Sequence, residues 1–174
     1  MAKLVLTVVG DDRAGLVESL AHVVGEHGGN WETSELAELA GAFAGIVLVS
    51  VPDNRLPELK DALDGLEGLL RVTVHGGAAS AENTDARTGR RFTFTVLGND
   101  RPGIVRDVTG ILSRHGLTID AFSSQTREAP MAGGTLFDAT VTARASDESG
   151  VDAAINELER LASEIQVDLA IADA

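Results

Sequence analysis

A repeated segment constrains the fold of this chain more than any other feature. The stretch GDDRAG at residues 10–15 recurs as GNDRPG at residues 98–103, and a shift of 88 positions superposes the two. The same shift aligns His27 with His115 and Gly28 with Gly116. Apolar residues alternate with other residues just before each copy, as they do in a β-strand. Because the turn residues and the flanking periodicity recur together, the chain is predicted to contain one structural unit twice.

Each unit is predicted to contain four strands and two helices, in the order βαββαβ. Strands are indicated by alternating or β-branched apolar runs, and helices by apolar residues at steps of three and four. In the first unit these patterns predict strands at 4–9, 42–51 and 70–75, and helices at 14–27 and 56–66, while the strand at 30–39 is predicted only by comparing the two units. In the second unit they predict strands at 91–97, 136–143 and 165–171, and helices at 104–115 and 151–161, and the segment 120–130 takes the place of the second strand.

One segment has a local propensity that conflicts with this order. Residues 32–40, ETSELAELA, are good helix formers, whereas their counterpart at 120–130, DAFSSQTREAP, has poor helix formers and a proline. If the two units share one fold, the segment in the first unit must be extended, since tertiary context can override propensity. We therefore predict a strand over residues 30–39.

The element order predicts the α+β class and two tandem ferredoxin-like domains, each an antiparallel sheet with two helices on one face. The predicted domains are residues 1–76 and 91–174, and the small, polar, aperiodic segment 77–90 is the predicted linker. This fold hosts many functions, so the function has to be argued from particular residues.

Composition excludes several function classes. The 174 residues include no cysteine, which rules out disulfides, a thiolate nucleophile and Cys-type zinc sites, and fits a cytoplasmic location. The apolar run at 4–9 is too short for a signal peptide core or a membrane span, so no membrane association is expected. A net charge of −13 repels phosphate backbones, and aromatic residues make up only 3%, so an RNA-binding ferredoxin-like module is excluded.

The repeated turn has the chemistry of an anion site next to an acid. Pro102 suits the first position of a helix, and Gly103 removes a side chain where something could approach the backbone. The unpaired N–H groups of a first helical turn, including those of Gly103 and Ile104, attract a carboxylate, and Asp100 could hold an ammonium group. A free amino acid carries both groups. The alternative is that the aspartate only caps the helix and that Arg101 lies on the surface.

Other residues carry no catalytic or metal-binding pattern. Gly-x-Ser-x-Gly, Walker A and His-Glu-x-x-His motifs are absent from the sequence, and neither a metal nor a cofactor is expected. His27 and His115 stand just before helix-ending glycines, where a histidine is predicted to bond the last helical carbonyls. Trp31, the only tryptophan, is expected to anchor a core rather than line a pocket.

The double βαββαβ order with Gly-x-Asp-Arg-x-Gly after each first strand resembles tandem ACT-domain proteins, and among them the family of glycine cleavage system transcriptional repressors. The resemblance implies a non-catalytic regulatory protein that binds a small amino acid of the glycine or serine class between ACT units. It also implies a homodimer that acts through a protein partner. Direct contact with nucleic acid is not expected, because the net charge of −13 repels phosphate groups. The alternatives are a stand-alone ACT regulatory subunit of a metabolic enzyme and a small ferredoxin-like enzyme such as an acylphosphatase.

The resemblance also implies which residues contact the ligand. The polar position before the family's arginine falls on Asp12 and Asp100, and the start of the second strand falls on Asn30 and Thr118. The serine-binding ACT domain of phosphoglycerate dehydrogenase has a histidine where this chain has Gly10 and Gly98, so serine specificity does not carry over. The predicted ligand-binding residues are Asp12, Ala14, Gly15, Leu16, Asn30, Asp100, Gly103, Ile104 and Thr118.

Overall fold

The computed structural model describes residues 1–76, 89–129, 133–145, 148–165 and 167–173. The chain divides into two compact units, Met1–Asn83 and Thr84–Ala174. Most of the predicted linker lies outside the described residues, so the finer division into 1–76, 77–90 and 91–174 stays a prediction.

Both units have the element order βαββαβ, as the repeat predicts. The first unit contains β1 (Ala2–Asp11), α1 (Leu16–Glu26), β2 (Asn30–Leu39), β3 (Ala42–Val51), a 3₁₀ turn (Asp53–Arg55), α2 (Leu56–Asp64) and β4 (Arg71–Gly76). The second unit contains β5 (Arg90–Asn99), α3 (Ile104–Arg114), β6 (Thr118–Glu128), β7 (Thr135–Ala145), α4 (Glu148–Ile165) and β8 (Val167–Asp173).

Each unit is built on one antiparallel four-stranded sheet. The strand order is β2-β3-β1-β4 in the first unit and β6-β7-β5-β8 in the second. In the first sheet Asp11 lies opposite Ala42 at one end, and Ala2 lies opposite Val51 at the other. The tight turn between β2 and β3 therefore lies at the same end of the sheet as the turn that leads from β1 into α1.

The core of each unit lies between one face of its sheet and its two helices. On the central strands, Leu4, Leu6 and Val8 are buried in the first unit, and Phe92, Phe94 and Val96 are their buried counterparts. Helix residues complete each core because their apolar side chains recur at helical spacing. In the first unit these are Leu16, Leu20, Val24, Leu59 and Leu63, and in the second Ile104, Val108, Ile111, Leu112, Val151, Ala154 and Leu158.

The segment with high helix propensity is a strand. β2 spans Asn30–Leu39 and pairs with β3 along its length, so the strand prediction is confirmed and tertiary pairing overrides local propensity. Gly45 on β3 permits this pairing, because a Cβ atom there would lie 2.0 Å from the carbonyl oxygen of Glu35. Any other residue would push the two strands apart.

Several element boundaries differ from the predictions. α1 begins at Leu16 rather than at residue 14, because Gly15 has a left-handed backbone conformation that a helix cannot include. α2 ends at Asp64 rather than at residue 66. Ile165 ends α4, so the last strand begins at Val167 rather than at residue 165.

Candidate functional site

The two copies of the repeated turn have the same backbone geometry. Gly15 is the N-cap of α1 with φ of 89°, and Gly103 is the N-cap of α3 with φ of 87°. Side chains are disfavoured at this left-handed conformation, so backbone geometry alone calls for glycine. The prediction that Pro102 takes the first helical position is wrong: it precedes the cap, and the first helical residue is Ile104.

The aspartates of the two turns do not cap the helices. Neither α1 nor α3 has a side-chain cap hydrogen bond. Instead, the backbone N–H of Asp12 donates to the carbonyl of Gly41 at 2.9 Å, and that of Asp100 donates to the carbonyl of Thr135 at 2.8 Å. Both aspartates are exposed. Each turn therefore presents a helix N-terminus without a side-chain cap together with an exposed carboxylate.

The arginines of the two turns hold them to different parts of their domains. Arg13 donates from Nη2 to the carbonyl oxygens of Gly68 at 2.6 Å and Leu69 at 3.2 Å. Arg101 instead donates to Asp107 of α3 at 2.7 Å. Arg13 cannot make the same ion pair, because the equivalent position on α1 is a serine. Arg101 is therefore half-buried and paired, whereas Arg13 is exposed.

A groove of about 340 Å³ lies beside the first turn. Its lining includes Gly10, Asp11 and Arg13 from the turn region and Gly68 and Leu69 from the segment that follows α2. Asp12, Ala14 and Gly15 are exposed next to these residues in the chain. The groove is therefore formed by immediate neighbours of the predicted ligand-binding residues.

Two predicted ligand-binding residues contribute side chains to the core instead. Leu16 and Ile104 are each 3% exposed, so only their backbone could reach a ligand. The N–H of Ile104 makes a long bond of 3.4 Å to the carbonyl of Arg101.

Within one domain the structure does not bring all the predicted residues together. Asn30 lies opposite Ser50 and Thr118 lies opposite Arg144, at the end of each sheet remote from the turns. From Ala42 to Ser50 is eight residues along β3, or about 26 Å of extended chain. A single small amino acid cannot bridge Asp12 and Asn30 of the same domain.

A charged cluster next to Asn30 and Thr118 was missed by the sequence analysis. Glu32 lies in a β-bulge of β2 and accepts a hydrogen bond from Nζ of Lys3 at 2.8 Å. The hydrogen bonds from Lys3 and Ser50 lower the pKa of the Glu32 carboxyl. In the second domain Asp120 lies in the matching bulge and pairs with Arg91 at 3.1 Å and with Arg144. The shift of 88 aligns Lys3 with Arg91 and Glu32 with Asp120, and that alignment was the available signal.

The histidines at the ends of α1 and α3 have different contacts. Nδ1 of His27 lies 2.8 Å from the carbonyl of Val23, as predicted for a helix end. His115 is likewise at the C-terminal end of its helix, and its Nε2 lies 2.7 Å from Glu157 of α4. Among the residues that the structure describes, no group of three or more His, Asp or Glu side chains is placed to hold a metal ion.

Each unit combines an antiparallel sheet with two helices and has the same glycine-capped turn after its first strand. Two such units in tandem define a class of small modular α+β proteins. Family models described as the ACT domain match residues 2–76 and 92–161. The chain therefore belongs to the ACT-domain family and contains two ACT domains in tandem, which confirms the predicted resemblance and fold class.

Two solved structures are similar to the chain over almost its whole length. A protein from Galdieria sulphuraria described as unknown is 27% identical, with a TM-score of 0.86, covering 99% of this chain and 98% of its own. A protein described as a candidate glycine cleavage system transcriptional repressor is 20% identical, with a TM-score of 0.68, covering 99% and 97%. The similarity to this second protein shows only that the two proteins share a fold. No curated protein sequence matches the chain.

Within the described parts of the chain, no helix is both long enough and apolar enough to cross a bilayer.

Proposed function

We propose that this chain is a non-catalytic, amino acid-sensing regulatory protein of the cytoplasm. Its ligand is a small amino acid of the glycine or serine class, bound at the turns that lead into α1 and α3. Membership of the ACT-domain family supports this role. The observation that carries it is the pair of turns in which an uncapped helix N-terminus lies next to an exposed aspartate.

The chemistry of these turns fits a zwitterion. The N–H groups of a first helical turn carry partial positive charge and attract a carboxylate, most strongly where no side chain already caps them. Asp12 and Asp100 supply negative charge for the ammonium group of the same ligand. A small ligand leaves room for both contacts because Ala14 and Gly15 add little bulk to the first turn.

The separation of Asp12 from Asn30 favours a site shared between two copies of the chain. In this arrangement the turn of one ACT domain and the start of the second strand of an ACT domain in the partner chain enclose one ligand. A homodimer would then be required for full affinity. Asn30 has an amide where the second domain has Thr118, so the first domain offers more hydrogen bonds to the ligand.

Calorimetry should detect weak, specific binding of glycine or serine. For the five heavy atoms of glycine, a ceiling of about 1.5 kcal/mol per atom limits the dissociation constant to roughly micromolar or weaker. Asp12→Ala, Asn30→Ala and Asp100→Ala should each weaken binding, by about tenfold where the residue contacts ligand charge. A thermal-shift screen of the twenty amino acids would choose the titrant, because a ligand of the folded state raises its stability.

Asp61→Ala is the matched control for these variants, since Asp61 is an exposed acidic residue on α2. It should leave the affinity unchanged. Unchanged binding in all three test variants would remove these residues from the site, and no binding of any amino acid to the wild type would refute the sensing role.

We also propose that regulation passes through a protein partner and not through DNA. Affinity for DNA comes from several Lys or Arg residues that neutralise phosphates, and this chain has 14 basic residues against 27 acidic ones. A gel-shift titration of the purified protein at low salt, with and without glycine, should therefore show no retarded complex. A sequence-specific complex formed without any second protein would contradict the proposal.

A further inference from the structure

A second concave site lies on the helical side of the second domain, in a groove of about 410 Å³. A volume of this size is typical of sites for small molecules. Charged residues of α3 and α4 line it, with a small apolar floor. The lining residues are Arg106, Asp107, Gly110, Ile111, Arg114, Glu157, Arg160 and Leu161.

The two carboxylates of this groove are each hydrogen-bonded by two basic side chains. Asp107 bonds Arg101 at 2.7 Å and Arg106 at 3.0 Å. These arginines lower the pKa of the Asp107 carboxyl, with Arg101 making the largest contribution.

Glu157 bonds Arg114 at 2.6 Å and His115 at 2.7 Å. Hydrogen bonds from His115 and then Arg114 lower the pKa of this carboxyl as well. Both carboxylates are therefore ionised at neutral pH. Together with Arg101, the arginines of the groove outnumber its carboxylates by two.

The excess positive charge is accessible. The side chains of Arg106 and Arg160 are 82% and 71% exposed, and Arg160 lies 3.9 Å from Glu157, beyond hydrogen-bond distance. If Arg106 and Arg114 turn toward a ligand, Asp107 keeps Arg101 and Glu157 keeps His115 as partners. Each carboxylate therefore keeps one hydrogen-bond partner when the groove rearranges, which keeps the desolvation cost low.

The first domain carries the opposite charge at the corresponding positions. The shift of 88 places Glu18 where the second domain has Arg106, and Glu26 where it has Arg114. A basic groove on a chain of net charge −13 is thus a local property of one domain and not a general property of the fold.

We propose that this groove binds a small anion that carries a phosphate or diphosphate group. Guanidinium groups bind phosphate oxygens in bidentate fashion, and three arginines that face one groove can contact a multivalent anion together. The groove adjoins the turn that leads into α3, because Asp107 pairs with Arg101 of that turn, but the proposal does not depend on amino acid binding there. A phosphorylated ligand would then be a regulatory signal that the second domain binds and the first domain does not.

The test is calorimetric titration of the full chain with pyrophosphate at constant ionic strength, with inorganic phosphate and ADP as parallel titrants. Pyrophosphate or ADP should bind, and Arg106→Glu and Arg160→Ala should each weaken binding by about tenfold or more. Arg106→Glu introduces the residue that the first domain already carries at this position, so the variant should fold. Tighter binding of ADP than of pyrophosphate would support a nucleotide as the source of the phosphate group.

Arg127→Ala is the control, since Arg127 is an arginine on β6 outside the groove. It should bind pyrophosphate like the wild type. Equal loss in Arg127→Ala, or no loss in either groove variant, would overturn the proposal. So would binding of poly-glutamate without binding of any phosphate compound, because the groove would then be a docking surface for an acidic protein. Glycine binding should be unchanged in Arg160→Ala, which separates this site from the turns.

Discussion

Alanine at Leu6 or Phe94 is expected to remove much of the stability of one domain. Both side chains are 0% exposed, and the shift of 88 makes them equivalent residues of β1 and β5. Truncating a buried leucine costs about 2–5 kcal/mol and a buried phenylalanine about 3–5 kcal/mol, because the surroundings fill the cavity only in part. Single domains have about 5–15 kcal/mol in total, so either substitution takes a large share.

Trp31 distinguishes destabilisation of the first domain from destabilisation of the second. It is the only tryptophan and packs against the core of the first domain, so its emission reports the unfolding of that domain. In a urea titration, Leu6→Ala should lower the midpoint of the Trp31 transition. Phe94→Ala should lower the midpoint of a transition seen by far-UV circular dichroism and leave the Trp31 transition in place.

Val5→Ala is the control for this pair, because Val5 neighbours Leu6 on β1 and is only partly buried. It should shift the Trp31 transition by less than Leu6→Ala does. If Phe94→Ala moved the Trp31 transition as far as Leu6→Ala, the two groups of buried residues would not behave as separate cores.

The repeat made most of the fold predictable from the sequence. β2 is the clearest case, since its own residues favour a helix and only the comparison with residues 120–130 predicts a strand. The boundaries of β2 and β3 agree with the prediction residue by residue. Because the duplicated sequence encodes one fold twice, the secondary structure of a segment can be predicted from whichever copy has a local propensity that agrees with the fold.

The details of the turn could not be predicted in the same way. Pro102 fits the first helical position by its own stereochemistry, but the left-handed Gly103 moves the helix start two residues beyond it. The partner of the turn arginine depends on a residue six positions further on, which is Asp107 in one domain and Ser19 in the other. Tertiary contacts of this kind have no signature in local periodicity.

The candidate site was predicted by residue type but not by arrangement. The sequence places Asp12 and Asn30 only 18 positions apart, whereas the sheet register puts them at opposite ends of the domain. The bulge that carries Glu32 was likewise hidden, because a bulge changes pairing without changing the alternation of residues enough to be recognised. Register is a property of two strands and is not contained in either one alone.

Valine at Gly15 is expected to lower both stability and ligand affinity. With φ of 89° at this position, a side chain costs about 1–2 kcal/mol, and a β-branched one lies at the upper end. A Cβ atom there would meet no atom within 4 Å, so the cost comes from the backbone and not from a clash. The added methyl groups would stand beside the helix N-terminus, where the proposed ligand binds.

Two companion variants separate strain from steric exclusion. Gly15→Ala should lose similar stability but bind glycine more tightly than Gly15→Val, since it adds the strain with less bulk. Gly25→Ala lies in α1 itself with open space around it, and should raise stability by about 0.5–1 kcal/mol. Gly103→Val tests the second domain, although its Cβ would also lie 3.1 Å from Nη2 of Arg106.

Urea denaturation gives the stabilities of these variants, and calorimetry gives their affinities for glycine. Wild-type affinity in folded Gly15→Val would place the ligand away from this turn, and the glycine would then serve the backbone alone.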